Sequence, residues 1–367
     1  MPRYRVVVVG MGKRGMHHAT AFAANPRFEL TGISSRDQKR LDAAAAKLQQ
    51  EKKLNEGRKL GDLKLSTDAR ALVATVKPDV FCFCTPPNVR LPLIGIGIDS
   101  GAKLIAFEKP VAMTSAEGLA VKNALGKAGV KAVVSHQHRY GEHYQKVKAI
   151  IASGAIGKVY TVYGTATGWA AHMLSHLVDY TSWFNDYDPA EWVMGQAAGR
   201  GKLADVHASP DYVAGVAHFR NGVRGIYDCG AGAPDVPEVP YWWRKCRIGA
   251  QGTEGYAEVH TGSGWRAVTK DGAQSGPGGM DYDHDMAPYI QEIADWLDDD
   301  GKPHPLRFAR AYHGMEIVCG LYRSAIEGGQ IALPLTSGLD EIEGLKAKVP
   351  DRKVLMTLAE SAKEYKE

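Results

Sequence analysis

The stretch Val6-Val7-Val8-Val9-Gly10-Met11-Gly12-Lys13-Arg14-Gly15 decides the fold. Four valines in a row read as a short strand buried on both faces. The glycines at 10, 12 and 15 read as the turn that carries this strand into a helix. The first permits a tight turn, the second lets a phosphate approach the backbone, and the third lets helix and strand pack closely. The helix N-terminus then offers amide donors to an anion. A G-x-G-x-x-G pattern alone is a weak signal, and a ligand-free glycine turn is its plain alternative. Its place after a strand and before a helix is the context a dinucleotide site requires.

Outward from this turn, strand and helix signals alternate. Residues 16–24 are alanine-rich and helix-compatible, and residues 28–34 (FELTGIS) read as a second strand. Asp37 can cap a helix over about 38–53 with Leu41, Ala44, Ala45 and Leu48 on one face. Asp68 can cap another helix through residue 76. Strands follow at 79–84, 103–107 and 131–135, with helices at 91–100 and 116–125 between them. This alternation predicts an α/β fold, a parallel Rossmann sheet with helices on both faces.

The pattern changes near Arg139. A helix over 144–152, a β-rich start at 157–163 and a helix over 170–184 come next. Short strand signals then recur at 212–219, 225–229, 246–250 and 256–260, and helices at 288–297 and 308–325 close the pattern. Residues 271–285, rich in glycine and aspartate, read as a mobile loop. The expectation is a Rossmann domain over 1–138 and an α+β domain over 139–367 with a large open, mainly antiparallel sheet. The last helices are expected to pack back on the first domain.

Composition bounds the function. A chain of 367 residues suits two domains. A formal charge of +4, with no basic block, argues against a nucleic-acid partner. The five cysteines include no CxxC, so neither a disulfide framework nor a thiolate zinc site is suggested. Cys82 and Cys84 alternate with Phe81 and Phe83 and read as buried packing. The N-terminus does not read as a signal peptide. No stretch approaches the roughly eighteen apolar residues of a membrane span. A cytoplasmic protein is expected.

At the end of the second strand, a site for NAD usually presents a carboxylate to the ribose hydroxyls. This chain has Ser34-Ser35-Arg36 there, and Asp37 comes late. Serine and arginine suit a 2′-phosphate, with Lys13 and Arg14 nearby in the turn. NADP is therefore favoured over NAD; the alternative is a solvated Arg36 with Ser35 on the NAD ribose.

Three further segments carry a resemblance: Cys84-Thr85-Pro86-Pro87-Asn88, Phe107-Glu108-Lys109-Pro110 and His136-Gln137-His138-Arg139-Tyr140. With the glycine turn, their order and spacing resemble the glucose–fructose oxidoreductase, inositol dehydrogenase and rhizopine-catabolism (Gfo/Idh/MocA) family. Residues 154–159, 252–255 and 324–334 extend the resemblance over nearly the whole chain. It implies NAD(P)-dependent hydride transfer on a sugar, glycoside or cyclitol, in a homodimer or homotetramer. It also implies that Gly10, Met11, Gly12, Lys13, Arg14, Gly15, Ser35, Arg36, Thr85, Pro86, Asn88, Glu108, Lys109 and Gln137 hold the cofactor. Lys109 matches the family's active-site lysine.

In the helix near residue 172 the family form is Asp-x-x-x-His-x-x-Asp. Here His172 replaces the first aspartate, while His176 and Asp179 match the others. Positions i, i+4 and i+7 share one helical face. His176 is the candidate acid/base, since imidazole titrates near neutral pH. His172, Asp179 and Trp169 are candidate substrate contacts. The histidines also have metal-ligand spacing, with Asp179 as a third ligand, but no HExxH accompanies them and no metal is assigned. The plainer reading is packing histidines in an inactive paralogue.

Weaker candidates are Trp183, Trp242 and Trp243, whose faces suit sugar rings although packing is commoner. His138, His143 and Asp283-His284-Asp285 are candidate pocket residues, with ordinary surface or boundary groups as the plainer reading. Two other functions stay open: a redox-neutral glycosidase acting through a transient keto-sugar, and a non-catalytic nucleotide-binding sensor or partner subunit.

Overall fold

The computed structural model describes residues 3–50, 63–237, 239 and 245–349. Contacts divide the chain into two units, one of residues 1–111, 120–140 and 281–308, the other of 112–119, 141–280 and 309–367.

The first unit begins with β1 (Tyr4–Val9), α1 (Lys13–Ala24), β2 (Phe28–Ser34), α2 (Gln38–Gln50), β3 (Lys64–Ser66) and α3 (Ala69–Val76). It continues with β4 (Val80–Phe83), α4 (Arg90–Asp99), β5 (Leu104–Glu108), α5 (Ser115–Ala128), whose first residues belong to the second unit, and β6 (Lys131–Ser135). The strands form one sheet in the order β3-β2-β1-β4-β5-β6. Every pairing in it is parallel. The order reverses direction between β1 and β4, and ligands of such sheets bind at the strand C-termini around that switch.

The local reasons are those the sequence offers. Val6, Val7 and Val8 are fully buried. Leu41, Ala44, Ala45 and Leu48 form the buried face of α2. Asp37 accepts from the Arg40 amide, and Asp68 caps α3 by accepting from the amides of Arg70 and Ala71. Each cap contributes about 1 kcal/mol. The continuation of α2 toward residue 53 lies outside the described residues.

The second unit contains α6 (Glu142–Ala152), β7 (Val159–Ala166), α7 (Ala170–Phe184), β8 (Ala190–Ala198), β9 (Tyr212–Phe219), β10 (Arg224–Gly230), β11 (Cys246–Gly252), β12 (Gly255–His260), β13 (Gly264–Thr269) and β14 (Gly272–Gly276). Next comes α8 (Tyr282–Asp298), which belongs to the first unit. There its Gln291 accepts a hydrogen bond from Asn25 at the end of α1. The chain then returns through α9 (Phe308–Glu327), β15 (Ile331–Ala332) and α10 (Glu341–Lys348).

The nine strands of this unit form a sheet in the order β14-β13-β12-β11-β7-β10-β9-β8-β15. All its pairings are antiparallel except that of β10 with β7. The helix α7 packs its Leu174, Leu177 and Val178 into the core beneath this sheet. Gly164 permits the approach, because a Cβ there would lie 2.9 Å from that of Leu177.

The structure corrects one expectation about the chain. Residues 271–285 are not a loop: β14 occupies part of them, and Asp281 caps α8 by accepting from the amides of Asp283 and His284. Among the described residues no helix is long and apolar enough to cross a membrane.

Candidate functional site

In the first unit the glycine turn has the shape its spacing predicts. Gly10 has φ +90, and a Cβ there would sit 2.4 Å from the Cys84 carbonyl oxygen. At Gly15 a Cβ would meet the Gly10 carbonyl oxygen at 2.0 Å, so α1 and β1 touch through bare backbone. Gly12 is different: a Cβ would meet nothing within 4 Å. It is also the N-cap of α1 and supplies no side-chain acceptor to the first-turn amides. Thr85 Oγ1, at the end of β4, is buried without a hydrogen-bond partner. Open space at a helix N-terminus beside an unpaired hydroxyl fits a dinucleotide phosphate.

A cleft of about 540 Å³ opens beside Gly12, and Lys13, Arg40 and Lys47 line it. Of the residues expected to read the ribose, Ser35 is buried and Arg36 is exposed. Arg40 and Lys47, on the outer face of α2, were not singled out from the sequence. Their spacing to the glycine turn carries no fixed motif.

Lys109 follows the last residue of β5 and is half-buried. Its peptide bond to Pro110 is cis. The Arg90 guanidinium donates to the Pro110 carbonyl at 3.1 Å and to the Thr85 carbonyl at 3.2 Å. It thereby ties the turn after β4 to the turn after β5. Phe83 and Phe107 stack at 5.2 Å, and the guanidinium lies over both rings. Burial pulls its pKa down to about 10.

Glu108 points to a different partner from the expected cofactor: its carboxylate lies 3.0 Å from His18 Nε2, and both groups are buried. Burial opposes both charges. The hydrogen bond and charge of His18 nevertheless hold the Glu108 carboxyl below its usual range. His18 is held above its usual range by Cys84 and Glu108 together. Burial pushes the Cys84 thiol well up, which keeps it neutral at physiological pH. Glu108 is then the anion that keeps His18 charged.

Tyr282 of α8 joins this unit: the Arg14 guanidinium lies 4.1 Å from its ring centroid and His17 stacks on it at 4.6 Å. His138 Nδ1 lies 2.8 Å from Asp285 Oδ2, and both side chains are buried. Both are therefore buried rather than surface groups. The loop after β6 and the first turn of α8 fold together and exclude water from the pair. Burial, with help from the Asp281 charge, pushes the Asp285 carboxyl up to about 8. Gln137 is buried and accepts from the Ser135 hydroxyl at 2.9 Å. Pro86 and Asn88 are exposed, and Met11 is buried.

In the second unit, α7 presents its candidates from one side. Trp169 is the N-cap residue, and its ring lies 5.2 Å from that of His172. The His172 ring lies 4.7 Å from that of His207, and Lys202 Nζ sits 3.8 Å above the Trp169 ring. His176 turns toward Tyr180, whose hydroxyl lies 3.2 Å from Nδ1. His172 and His176 are half-buried, while Asp179 is buried. The two histidines therefore engage different neighbours. His207 and Lys202, both close to Asp205, come from the loop between β8 and β9, which sequence periodicity does not flag. Trp183 is a core residue, and Trp242 and Trp243 lie outside the described residues.

Fold and glycine turn define a dinucleotide-binding protein with a second, sheet-based unit. Residues 4–136 match the GFO_IDH_MocA model, described as an oxidoreductase family with an NAD-binding Rossmann fold. Over this domain the chain is similar to the Gfo/Idh/MocA oxidoreductases. It is similar to the D-glucoside 3-dehydrogenase of Escherichia coli, 24% identical over 42% of this chain and 41% of that protein. It is also similar to the myo-inositol 2-dehydrogenase of Thermotoga maritima, 24% identical over 61% of this chain and 67% of that one. The chain thus spans from two fifths to two thirds of the length of these curated relatives. A solved levoglucosan dehydrogenase, in complex with NADH and levoglucosan, has the same fold with a TM-score of 0.74. It is 16% identical over 91% of this chain and 100% of that one.

Proposed function

We propose that this protein is a dehydrogenase or reductase that transfers hydride between NAD(P) and a hydroxyl or keto carbon of a sugar, glycoside or cyclitol. The observation that carries the reading is the open space at Gly12 on the switch-point side of the sheet, with Lys109 at the end of β5. The names of the relatives, a glucoside dehydrogenase and an inositol dehydrogenase, support the substrate class. A bound nicotinamide supplies the hydride acceptor or donor. Lys109 takes or returns the proton of the reacting hydroxyl, held in place by the Arg90-pinned turn that follows it. His176 acts as acid/base, and its ring is oriented by Tyr180. His172, Asp179 and Trp169 contact the substrate. The test is a sugar and polyol panel followed at the nicotinamide absorbance; no turnover with any member at either cofactor counts against the reading.

NADP is the preferred cofactor in this proposal. No carboxylate stands at Ser34-Ser35-Arg36, and Lys13, Arg40 and Lys47 line the adjacent cleft. A charge-assisted hydrogen bond contributes about 1.5–3 kcal/mol. Arg40→Ala is expected to raise KM for NADP by about tenfold or more and to leave KM for NAD nearly unchanged. A lower KM for NAD than for NADP in the unsubstituted protein would overturn the preference.

The same proposal includes a cytoplasmic setting and a homodimer or homotetramer. None of the five cysteines is in a disulfide, which accords with a reducing compartment. Met194 pairs across from Val216, and Val216 from Ile226, so three exposed apolar side chains form a row on the nine-stranded sheet. Light scattering is expected to give two or four chains. A mass of 39.7 kDa, one chain, would sink the oligomer.

A further inference from the structure

We infer that His18, Cys82 and Cys84 form a binding site for one thiophilic divalent cation of the zinc type. The site lies wholly within the first unit, between α1 and the end of β4. Cys82 lies in β4 and Cys84 just beyond its end, and the sulfurs of both lie near His18 of α1. His18 Nδ1 lies 3.6 Å from Cys82 Sγ. One ligand atom from each of the three residues falls within 4.8 Å of the other two. A tetrahedral ion with bonds of about 2.0–2.3 Å draws such atoms a little closer than this. Cys84, the partly exposed member, would have to change rotamer to close the difference.

The second observation is the far side of the His18 ring. Its Nε2 is engaged by Glu108 Oε1 at 3.0 Å, which leaves Nδ1 directed at the sulfurs. A histidine that ligates a metal usually gives its other ring nitrogen to a carboxylate or carbonyl, which fixes the ring and raises its basicity. Packing alone accounts for a buried Cys82. It does not account for an ion pair buried beside two thiols, since such pairs are often no more stabilising than apolar residues of the same volume.

The charges balance on binding. The ion displaces one proton from each thiol and one from His18 Nδ1. Two thiolates then neutralise the two positive charges, while His18 keeps its Nε2 proton toward Glu108. Three protein ligands leave a fourth position for water, on the side where Cys84 reaches the surface. The sequence offered no CxxC or HExxH here, because the ligands come from a strand pair two apart and a helix some sixty residues earlier.

The experiment is a cobalt titration of the metal-free full chain. One Co²⁺ per chain is expected, with thiolate-to-cobalt absorption. Cys84→Ser is expected to weaken binding at least tenfold. Glu108→Gln is expected to weaken it about 10- to 100-fold while keeping the thiolate band. Absence of thiolate absorption in the unsubstituted protein, or unchanged affinity in Cys84→Ser, overturns the site. Should Cys84→Ser fail to fold, X-ray absorption of the zinc-loaded unsubstituted protein decides. Two sulfurs at about 2.3 Å and one nitrogen near 2.0–2.1 Å support the site, and a shell without sulfur rejects it.

Discussion

Lys109→Ala is expected to lower kcat of the proposed hydride transfer by about 10²–10⁴, with dinucleotide affinity nearly preserved. The size is that of a lost general acid/base group. The side chain is expected to act on a hydroxyl proton rather than to hold the cofactor, so the loss falls on kcat instead of on the dinucleotide Kd. Local structure supports a placed amine. Lys109 leaves the end of β5 half-buried, and Arg90 clamps the following carbonyl to the turn after β4. His176→Ala is expected to fall in the same range. Steady-state kinetics with a fluorescence titration of the dinucleotide separates the quantities. Full activity in either variant removes that residue from its role, and a parallel loss of cofactor affinity reassigns Lys109 to binding.

The parts of the fold that were legible in the sequence share one property: local chemistry and global position agree. The valines of β1 are buried on both faces, so the strand reads as an uninterrupted apolar run. On α7 the apolar residues at 174, 177 and 178 match its buried face, and its bounds were read correctly. The elements that escaped lack such agreement. In β14, Gly-Ala-Gln-Ser-Gly has no apolar alternation and lies largely exposed at the sheet edge, held by backbone pairing to β13. The strand β8 is half-exposed along its length, which blurs a period of two. The helix α8 begins six residues earlier than its apolar pattern, because Asp281 caps it and Tyr282 and Asp285 are drawn in by the first unit.

The candidate site divides in the same way. Motif residues can be named as candidates because spacing carries them, as at Gly10, Gly12, Gly15 and Lys109. Residues recruited by tertiary contact were not. His18 acquires meaning only beside Glu108, and Arg90 only between two carbonyls. His207 and Lys202 arrive from a loop to meet His172 and Trp169. The substitution of histidine for aspartate at 172 gains a physical context from them. The His172 ring lies 4.7 Å from that of His207 and 5.2 Å from that of Trp169, tilted against both.

Gly12→Ala and Gly15→Ala are expected to fail in opposite ways, and the contrast tests the turn on which the fold was read. At Gly15 the added methyl would lie 2.0 Å from the Gly10 carbonyl oxygen, and backbone cannot swing aside as a side-chain tip can. Either α1 moves off β1 or the turn opens. The expected cost is at least about 1–3 kcal/mol, seen as a lower urea midpoint with or without ligand. At Gly12 the methyl meets no protein atom within 4 Å, and the backbone at φ -82, ψ -170 suits any residue. Stability should change by less than about 1 kcal/mol, the scale of an N-cap preference. The methyl does, however, occupy the space where a phosphate would meet the first-turn amides. Losing one charge-assisted hydrogen bond, about 1.5–3 kcal/mol, weakens dinucleotide binding by about tenfold or more. Calorimetric titration against urea denaturation on the same preparations reads both effects. Unchanged dinucleotide affinity in Gly12→Ala would show that the space at the helix N-terminus is not the phosphate site. Unchanged stability in Gly15→Ala would show that close contact of α1 with β1 is not what the third glycine secures.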